Sequence, residues 1–299
     1  MKLSDIPQPA LEKLFSTSGI PLQIGPFIIS IKTSIRHLAE SIRFLYHDFD
    51  VEDATRFADY HVSVERPANL RRWIRPQALF CLDGHAPFFP MAAHAAAPLL
   101  EWGLNWVVGN HAHQYLVVHS AVLERNGKTL LFAGGPGAGK STLCSALTFQ
   151  GWRLLSDELA LLSHDGDRVA PIPRPLSIKD ASIELIRRVA PHAMFNPVQS
   201  VTHEGIIVHV RPPVEAVTRQ MEDAPAGVVL FLKFQIDSPL ELREVPKARA
   251  FLRLAQNIHN YTVLGAAGFE AAARVVESWR FYEFTYGNLD EAKRVLSSL

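Results

Sequence analysis

The first part of the chain alternates between strand-like and helix-like patterns of apolar positions. PFIISIKT (26–33) alternates in the manner of a half-buried strand, whereas SIRHLAESIRFLYHDF (34–49) places its apolar residues at helical spacing. The segments ADYHVSVER and QALFCLDG predict two further strands, and a helix is expected near 91–109. This order predicts an N-terminal α+β module over residues 1–115.

The pattern changes at about residue 116. Strands surround a glycine-rich loop, and RLLSDELALLS (153–163) reads as one further apolar strand region. After several short elements the chain closes with helices predicted near 247–258, 266–279 and 289–298. Residues 116–299 are therefore predicted to form a second, α/β domain.

Composition excludes several classes of protein. The chain has 299 residues, with 30 Lys and Arg balancing 30 Asp and Glu, so no global charge recruits nucleic acid or an anionic membrane. Two cysteines give no disulfide framework. The longest apolar stretch (90–110) is interrupted by polar residues and proline, which is typical of a buried helix rather than a membrane span. We expect a soluble, cytoplasmic protein.

The stretch GGPGAGKST (134–142) matches the phosphate-binding loop G-x-x-x-x-G-K-[ST] at every defined position. KTLLFAG before it predicts a strand and KSTLCSALTFQG after it a helix, which is the context that the motif requires. Backbone N–H groups of such a loop and the helix N-terminus face phosphate oxygens, the lysine reaches the outer phosphates, and the hydroxyl after it ligates Mg²⁺. The predicted nucleotide-binding residues are Gly134, Gly135, Pro136, Gly137, Ala138, Gly139, Lys140, Ser141 and Thr142.

A hairpin places a histidine at the mouth of this loop. Asn126-Gly127 between apolar strands is a strong two-residue turn signal, and such a turn pairs Arg125 with Lys128. Counting back along both strands, His119 then lies opposite Gly134. An imidazole there can donate a hydrogen bond to a phosphate or relay a proton, whereas a one-residue bulge would turn it to the other face.

An acidic pair, Asp157 and Glu158, follows Lys140 by seventeen and eighteen residues. A phosphate-loop enzyme needs a carboxylate near the γ-phosphate to hold Mg²⁺ or orient the attacking group. Successive strand residues face opposite ways, so both can act at one place only if the strand bends.

Three further cations lie in loop-like sequence: Arg174, Lys179 and Arg211. We predict that Arg174 and Arg211 contribute to the nucleotide site by screening the transferring phosphoryl group, with a surface position as the alternative for all three.

The order of His119, Gly134, Lys140 and Asp157, at these spacings, resembles the HPr kinase/phosphorylase catalytic domain. That family shares its phosphate-loop architecture with phosphoenolpyruvate carboxykinase. The segments LEWGLNWV, HSAVLERNG, SDELALLS and VRPP resemble the HPr-kinase-related kinase A branch, whose relatives include lasso-peptide precursor kinases. The resemblance is specific over 116–163 and weaker over 164–299, and residues 1–115 do not resemble the N-terminal domain of true HPr kinases.

The resemblance assigns roles by position. It implies that Asp157 is the general base toward a serine hydroxyl, with His119 beside it and Lys140 on the β- and γ-phosphates. Ser141 and a carboxylate, Glu158 or Asp157, would hold Mg²⁺; the family usually has a second Asp where this chain has Glu158. No downstream acidic signature of the phosphorylase reaction is recognisable, so a kinase is expected and the sequence does not predict phosphorylase activity.

The sequence thus predicts a kinase that uses ATP (GTP is the alternative) and Mg²⁺ to phosphorylate a hydroxyl, Ser above all, of a peptide or small protein. The 1–115 module would recognise that substrate or a peptide-carrier partner, and the resemblance implies a homo-oligomer. Two alternatives stay open: an ATP sensor that delivers a peptide to a partner enzyme with little turnover, and a kinase for a small metabolite such as serine.

Overall fold

A computed structural model describes residues 1–53 and 55–299, which form a mixed α/β structure with three β-sheets. The helices are α1 (Gln8–Ser16), α2 (Arg36–Leu45), α3 (Ala96–His111), α4 (Lys140–Thr148), α5 (Ala181–Val189), α6 (Val214–Thr218), α7 (Lys247–Ala255), α8 (Tyr261–Leu264), α9 (Ala266–Ser278) and α10 (Leu289–Ser298).

The strands of the first part of the chain are β1 (Ile20–Ile24), β2 (Phe27–Thr33), β3 (Tyr60–Glu65), β4 (Gln77–Leu82) and β5 (Met91–Ala92). The later strands are β6 (Leu116–Arg125), β7 (Lys128–Ala133), β8 (Arg153–Ser156), β9 (Leu159–Leu162), β10 (Arg168–Ala170), β11 (Leu176–Lys179), β12 (Ser200–Thr202), β13 (Gly205–Val210), β14 (Ala224–Pro225), β15 (Val228–Phe234), β16 (Glu241–Glu244) and β17 (Arg280–Tyr286).

The N-terminal sheet has the order β1-β2-β3-β4-β5 and packs against α1, α2 and α3. Its neighbours are antiparallel except for the parallel pair β2–β3. The apolar core beneath it also takes in Val117, Leu159 and Leu161 from the next sheet. The two parts of the chain therefore share a core, and the domain boundary at residue 115 stays a prediction.

The largest sheet runs β14-β10-β9-β6-β7-β15-β17-β16, with β8 also paired to β6. Side chains of β7 alternate between its faces: Leu130 and Phe132 enter a core with α4 and α10, whereas Leu131 and Ala133 enter a core with α7 and α9. The loop after β7 consequently emerges at the sheet edge between two layers of helices.

The predicted hairpin is confirmed. Arg125 pairs with Lys128, and the same register continues to Ser120 with Ala133. Asn126 and Gly127 have φ of 52° and 75°, as a type I′ turn requires at both central positions. The next residues in this register are His119 and Gly134.

Two sequence predictions need correction. The helix expected from residue 91 begins at Ala96, after strand β5 and a short 3₁₀ turn. Proline is tolerated in the first turn of a helix but not in its interior, so a helix that contains Pro98 starts shortly before it. The region 153–163 is two strands, β8 and β9, separated by a bend at Asp157 and Glu158. The three C-terminal helices are confirmed, with α7 ending three residues early.

Across the described residues, none of the helices combines the length and the apolar character that crossing a membrane requires.

Candidate functional site

The glycine-rich loop joins the end of β7 to the start of α4, the strand–loop–helix order that the sequence predicted. Gly137 and Gly139 have φ of 77° and 89°, in the region that favours glycine. Space is also limiting at Gly139, where a Cβ atom would lie 2.2 Å from Oη of Tyr286. Backbone conformation and close packing thus both require glycine here, and the first helical N–H groups of α4 face the loop.

The side chain of Lys140 folds back over the loop. Its Nζ atom donates a hydrogen bond to the carbonyl oxygen of Gly134 over 2.7 Å. Burial lowers the pKa of this ammonium group, and the charges of Glu158 and Asp157 oppose that shift. The lysine therefore lies between the loop and the acidic pair. The hydroxyl of Thr142, by contrast, is hydrogen bonded to that of Ser182 over 2.8 Å and ties α4 to α5.

A bend between β8 and β9 brings the two acidic residues toward one place. The Ser156 hydroxyl accepts a hydrogen bond from the backbone N–H of Leu159 over 3.0 Å and stabilises the bend. The pairing of β6 with β8 shifts register just before the bend, between Leu154 and Ser156. Because the strand is broken between Ser156 and Leu159, Asp157 and Glu158 are free of strict alternation, and the charge of Lys140 acts on both.

Asp157 is the more deeply buried of the pair, at 5% exposed. Its Oδ2 atom accepts a hydrogen bond from the backbone N–H of Ser177 in β11 over 3.0 Å, whereas Oδ1 is buried with no hydrogen-bond partner. Burial and the neighbouring charge of Glu158 raise the pKa of Asp157 to about 7, against the opposing effects of Ser177, Ser141 and Lys140. A carboxyl group in this state is half ionised near neutral pH and has one oxygen available to a ligand or a proton.

His119 extends from β6 on the other side of the acidic pair. Its Nδ1 atom lies 3.8 Å from Oε2 of Glu158. Burial, and then the charges of Lys140 and His259, lower the pKa of His119 to about 4. The imidazole is therefore neutral at pH 7, and its contact with Glu158 is not an ion pair.

The weaker cationic candidates differ in where the structure places them. The guanidinium of Arg174 is buried against α3, where Nη1 donates to Oε2 of Glu101 over 3.0 Å. Arg211 donates to the backbone oxygen of Phe44 over 2.6 Å and lies over its ring. These contacts join both side chains to the N-terminal part of the chain, and the charge of Arg174 also opposes the rise in the pKa of Glu158.

Lys179 is nearer to the acidic pair. It forms an ion pair with Glu204, and its charge lowers the pKa of His119 and opposes the rise in that of Glu158.

Sequence reasoning missed residues that reach the site from distant segments. The stretch after α7 pairs with the start of β6, where the N–H of His119 donates to Asn257 over 2.7 Å, and this brings the ring of His259 to 5.7 Å from that of His119. Tyr286, at the end of β17, donates to the carbonyl oxygen of Gly139 over 3.3 Å. No local motif marks either residue, because only the pairing of remote strands brings them here.

In the described part of the chain, no cluster of three or more His, Cys, Asp or Glu side chains has the arrangement of a metal site. The two carboxylates and the Ser141 hydroxyl supply side-chain oxygen atoms beside the loop, and the hydroxyl is close enough to Asp157 to oppose the rise in its pKa.

Comparison with known proteins gives little. No protein-family model matches this chain, and neither does any curated protein. A solved structure of an Hpr(Ser) kinase/phosphatase from Coxiella burnetii is similar over 61% of this chain and 94% of that chain, with a TM-score of 0.28 and 13% identity. At these values the similarity carries no information about fold, activity, substrate or site residues.

Proposed function

We propose that the protein is a kinase that transfers the γ-phosphoryl group of ATP, with Mg²⁺, to a hydroxyl of a peptide or small protein, Ser above all. One observation carries the proposal. A buried carboxyl group, Asp157, lies within reach of the charge of the loop lysine, has a pKa near 7 and keeps one oxygen without a partner. Buried carboxylates are normally fully hydrogen bonded, so an exception beside a phosphate-type loop is best explained by chemistry.

The loop and the start of α4 would hold the nucleotide phosphates through backbone N–H groups. Lys140, which donates to a loop carbonyl in the structure, would exchange that bond for the β- and γ-phosphate oxygens. Neutral His119 would donate one ring N–H to a phosphate oxygen, as a hydrogen-bond donor and not as a cation.

Mg²⁺ fits the donor set at this place. The ion prefers oxygen ligands and commonly uses one or two carboxylates together with phosphates and water, so a three-residue protein cage is not needed. Ser141 and Glu158 would hold it, which leaves the free oxygen of Asp157 to act on the acceptor. The bound ion would neutralise charge on the phosphates during transfer.

Asp157 would act as the general base. Its oxygen takes the proton of the acceptor hydroxyl as the hydroxyl oxygen bonds to the γ-phosphorus, and the bond from that phosphorus to the β–γ bridging oxygen breaks to release ADP. A pKa near 7 suits this task, since the group is substantially ionised at neutral pH yet basic enough to accept a proton.

Intact-mass spectrometry after incubation with Mg²⁺ and ATP tests the proposal. The acceptors are peptides encoded near the gene and free serine, and the variants are Lys140→Ala and Asp157→Asn. Asp83→Asn is the matched control, because Asp83 is an exposed turn residue whose φ of 49° asparagine tolerates.

A gain of one phosphoryl group on a peptide, retained by Asp83→Asn, abolished by Lys140→Ala and strongly slowed by Asp157→Asn, is the expected result. The same gain on free serine alone would replace the peptide acceptor with a metabolite. Wild-type transfer by Asp157→Asn would make the catalytic assignment wrong.

A further inference from the structure

The phosphate-type loop has two chemically different flanks. On the β6 side lie the titratable groups Asp157, Glu158 and His119. On the opposite side, β15 runs parallel to β7 and β17 runs parallel to β15, so the C-terminal ends of these two strands reach the same sheet edge as the loop. These ends carry aromatic residues, Phe234 and Tyr286.

Phe234 is in direct proximity to the loop. A Cβ atom built on Gly139, the last loop residue, would lie 3.3 Å from Cβ of Phe234. Phe234 is 43% exposed, whereas Tyr286, its register partner on β17, is buried. The two ring centroids are 5.4 Å apart, and Tyr286 is itself stacked on Phe284. Phe234 thus packs against a buried aromatic pair and keeps a large part of its surface exposed beside the loop.

The backbone after Phe234 holds this ring in place. The N–H of Gln235 donates to the carbonyl of Tyr286 over 3.0 Å, and Ser238 closes a turn onto Gln235 over 3.1 Å. Gly287 packs so closely on this turn that a Cβ there would lie 2.7 Å from the backbone of Ser238. The open ring is therefore on a fixed element next to the loop.

The two flanks determine the direction of a bound nucleotide. The γ-phosphate must face the acidic flank, because the proposed base is there, so the nucleoside must extend toward the other flank. We infer that Phe234 stacks on the nucleobase, and that the ends of β15 and β17 form the base subsite; this inference rests on the proposed function. Stacking uses the π-face that every base has, so Phe234 contributes to ATP and GTP alike.

Calorimetric titration tests the subsite with three Mg²⁺-loaded probes: ATP, GTP and inorganic tripolyphosphate. The variants are Phe234→Ala and Phe234→Trp, with thermal melts to establish folding. Phe269→Ala is the matched control, since Phe269 is 55% exposed on α9 and likewise pairs with a single aromatic ring, that of Phe251 at 5.1 Å.

We expect Phe234→Ala to lower the affinity for ATP and for GTP by about 5- to 150-fold, the range for loss of one base stack. The affinity for tripolyphosphate should stay within about twofold of the wild-type value. Phe234→Trp should keep the affinity for both nucleotides near the wild-type value. Phe269→Ala should change the affinity for none of the three probes.

Two results would overturn the inference. If Phe234→Ala lowers the affinity for tripolyphosphate as much as that for ATP, Phe234 only shapes the loop. If the ATP affinity is unchanged, the exposed side chain serves another contact, such as one with a protein. Failure of the proposed function is a distinct result, in which the wild-type protein binds neither nucleotide nor tripolyphosphate.

Discussion

Asp157 and Glu101 are carboxylates buried to nearly the same degree, at 5% and 6% exposed, yet their surroundings differ. Glu101, on α3, has both oxygens occupied: Oε2 accepts from Arg174 over 3.0 Å and Oε1 from the hydroxyl of Tyr46 over 2.7 Å. Asp157 has one oxygen on the N–H of Ser177 and the other without a partner.

Burial raises the pKa of both groups, but the charge with the largest effect on that pKa acts in opposite directions in the two cases. The charge of Arg174 and the Tyr46 hydroxyl oppose the rise for Glu101, whereas Glu158 adds to it for Asp157. A fully partnered buried carboxylate is compatible with a structural role, here in joining the N-terminal part to the rest of the chain. One with a free oxygen and an acidic neighbour destabilises the fold, which favours the catalytic role that we propose for Asp157.

The largest expected effect is on activity, which should fall on substitution of Asp157 but not of Glu101. With the acceptor found by mass spectrometry, Asp157→Asn should lower kcat/KM by about 10²- to 10⁴-fold, because the general base is lost. Its Kd for ATP should change little. Glu101→Gln, assayed at a temperature where it is folded, should keep kcat/KM within a few-fold of wild type. Similar activity losses in both variants would remove the distinction.

The free energy of unfolding should distinguish the two carboxylates in the opposite direction, with the larger loss for Glu101. Glu101→Gln leaves the Arg174 guanidinium buried without its counter-ion, and we expect a loss of about 3–5 kcal/mol in urea denaturation. Glu184→Gln is the control, because its ion pair with Arg187 (3.6 Å) is exposed and should contribute under about 1 kcal/mol. Equal, small losses in both variants would show that the buried pair is not stabilising.

The stability of Asp157→Asn relative to wild type should depend on pH. The folded pKa of about 7 lies above the unfolded value of 3.8, so the folded state retains a proton that the unfolded state releases, and wild-type stability falls as pH rises between these values. The free energy of unfolding of Asp157→Asn relative to wild type should rise by on the order of 2 kcal/mol from pH 5 to pH 7 and then level off. Denaturation at pH 5, 6, 7 and 8 measures it, and a pH-independent difference would contradict the raised pKa.

Tyr46→Phe should have the smallest effect. It removes one hydroxyl from Glu101 and leaves the Arg174 contact, so a loss of roughly 1.5 kcal/mol is expected, as for a hydrogen bond to a charged group. Urea denaturation measures this, with ATP affinity as a second readout that should not move. No change in stability would mean that Glu101 depends on Arg174 alone.

Local sequence patterns predicted the hairpin and its consequence correctly. A two-residue turn fixes strand register, and the period of a strand is two, so Asn126-Gly127 was enough to align His119 with the start of the loop. The same reasoning required a bend if Asp157 and Glu158 were to act together, and the structure has one.

The packing of Arg174 and Arg211 could not be predicted in this way. Loop sequence around a cation does not say which distant helix packs against it, and both side chains contact the N-terminal part of the chain.

The sequence by itself determined the strand–loop–helix unit, the hairpin register and the candidate loop lysine, because each depends on residues close together in the chain. Only the tertiary structure decided which of two buried carboxylates keeps a free oxygen, which histidine joins His119, and which aromatic ring lies open beside Gly139. Those outcomes depend on the pairing of β6 with the segment after α7 and on the order of β7, β15 and β17. Burial and packing between remote segments have no local signature, so they follow from the fold as a whole.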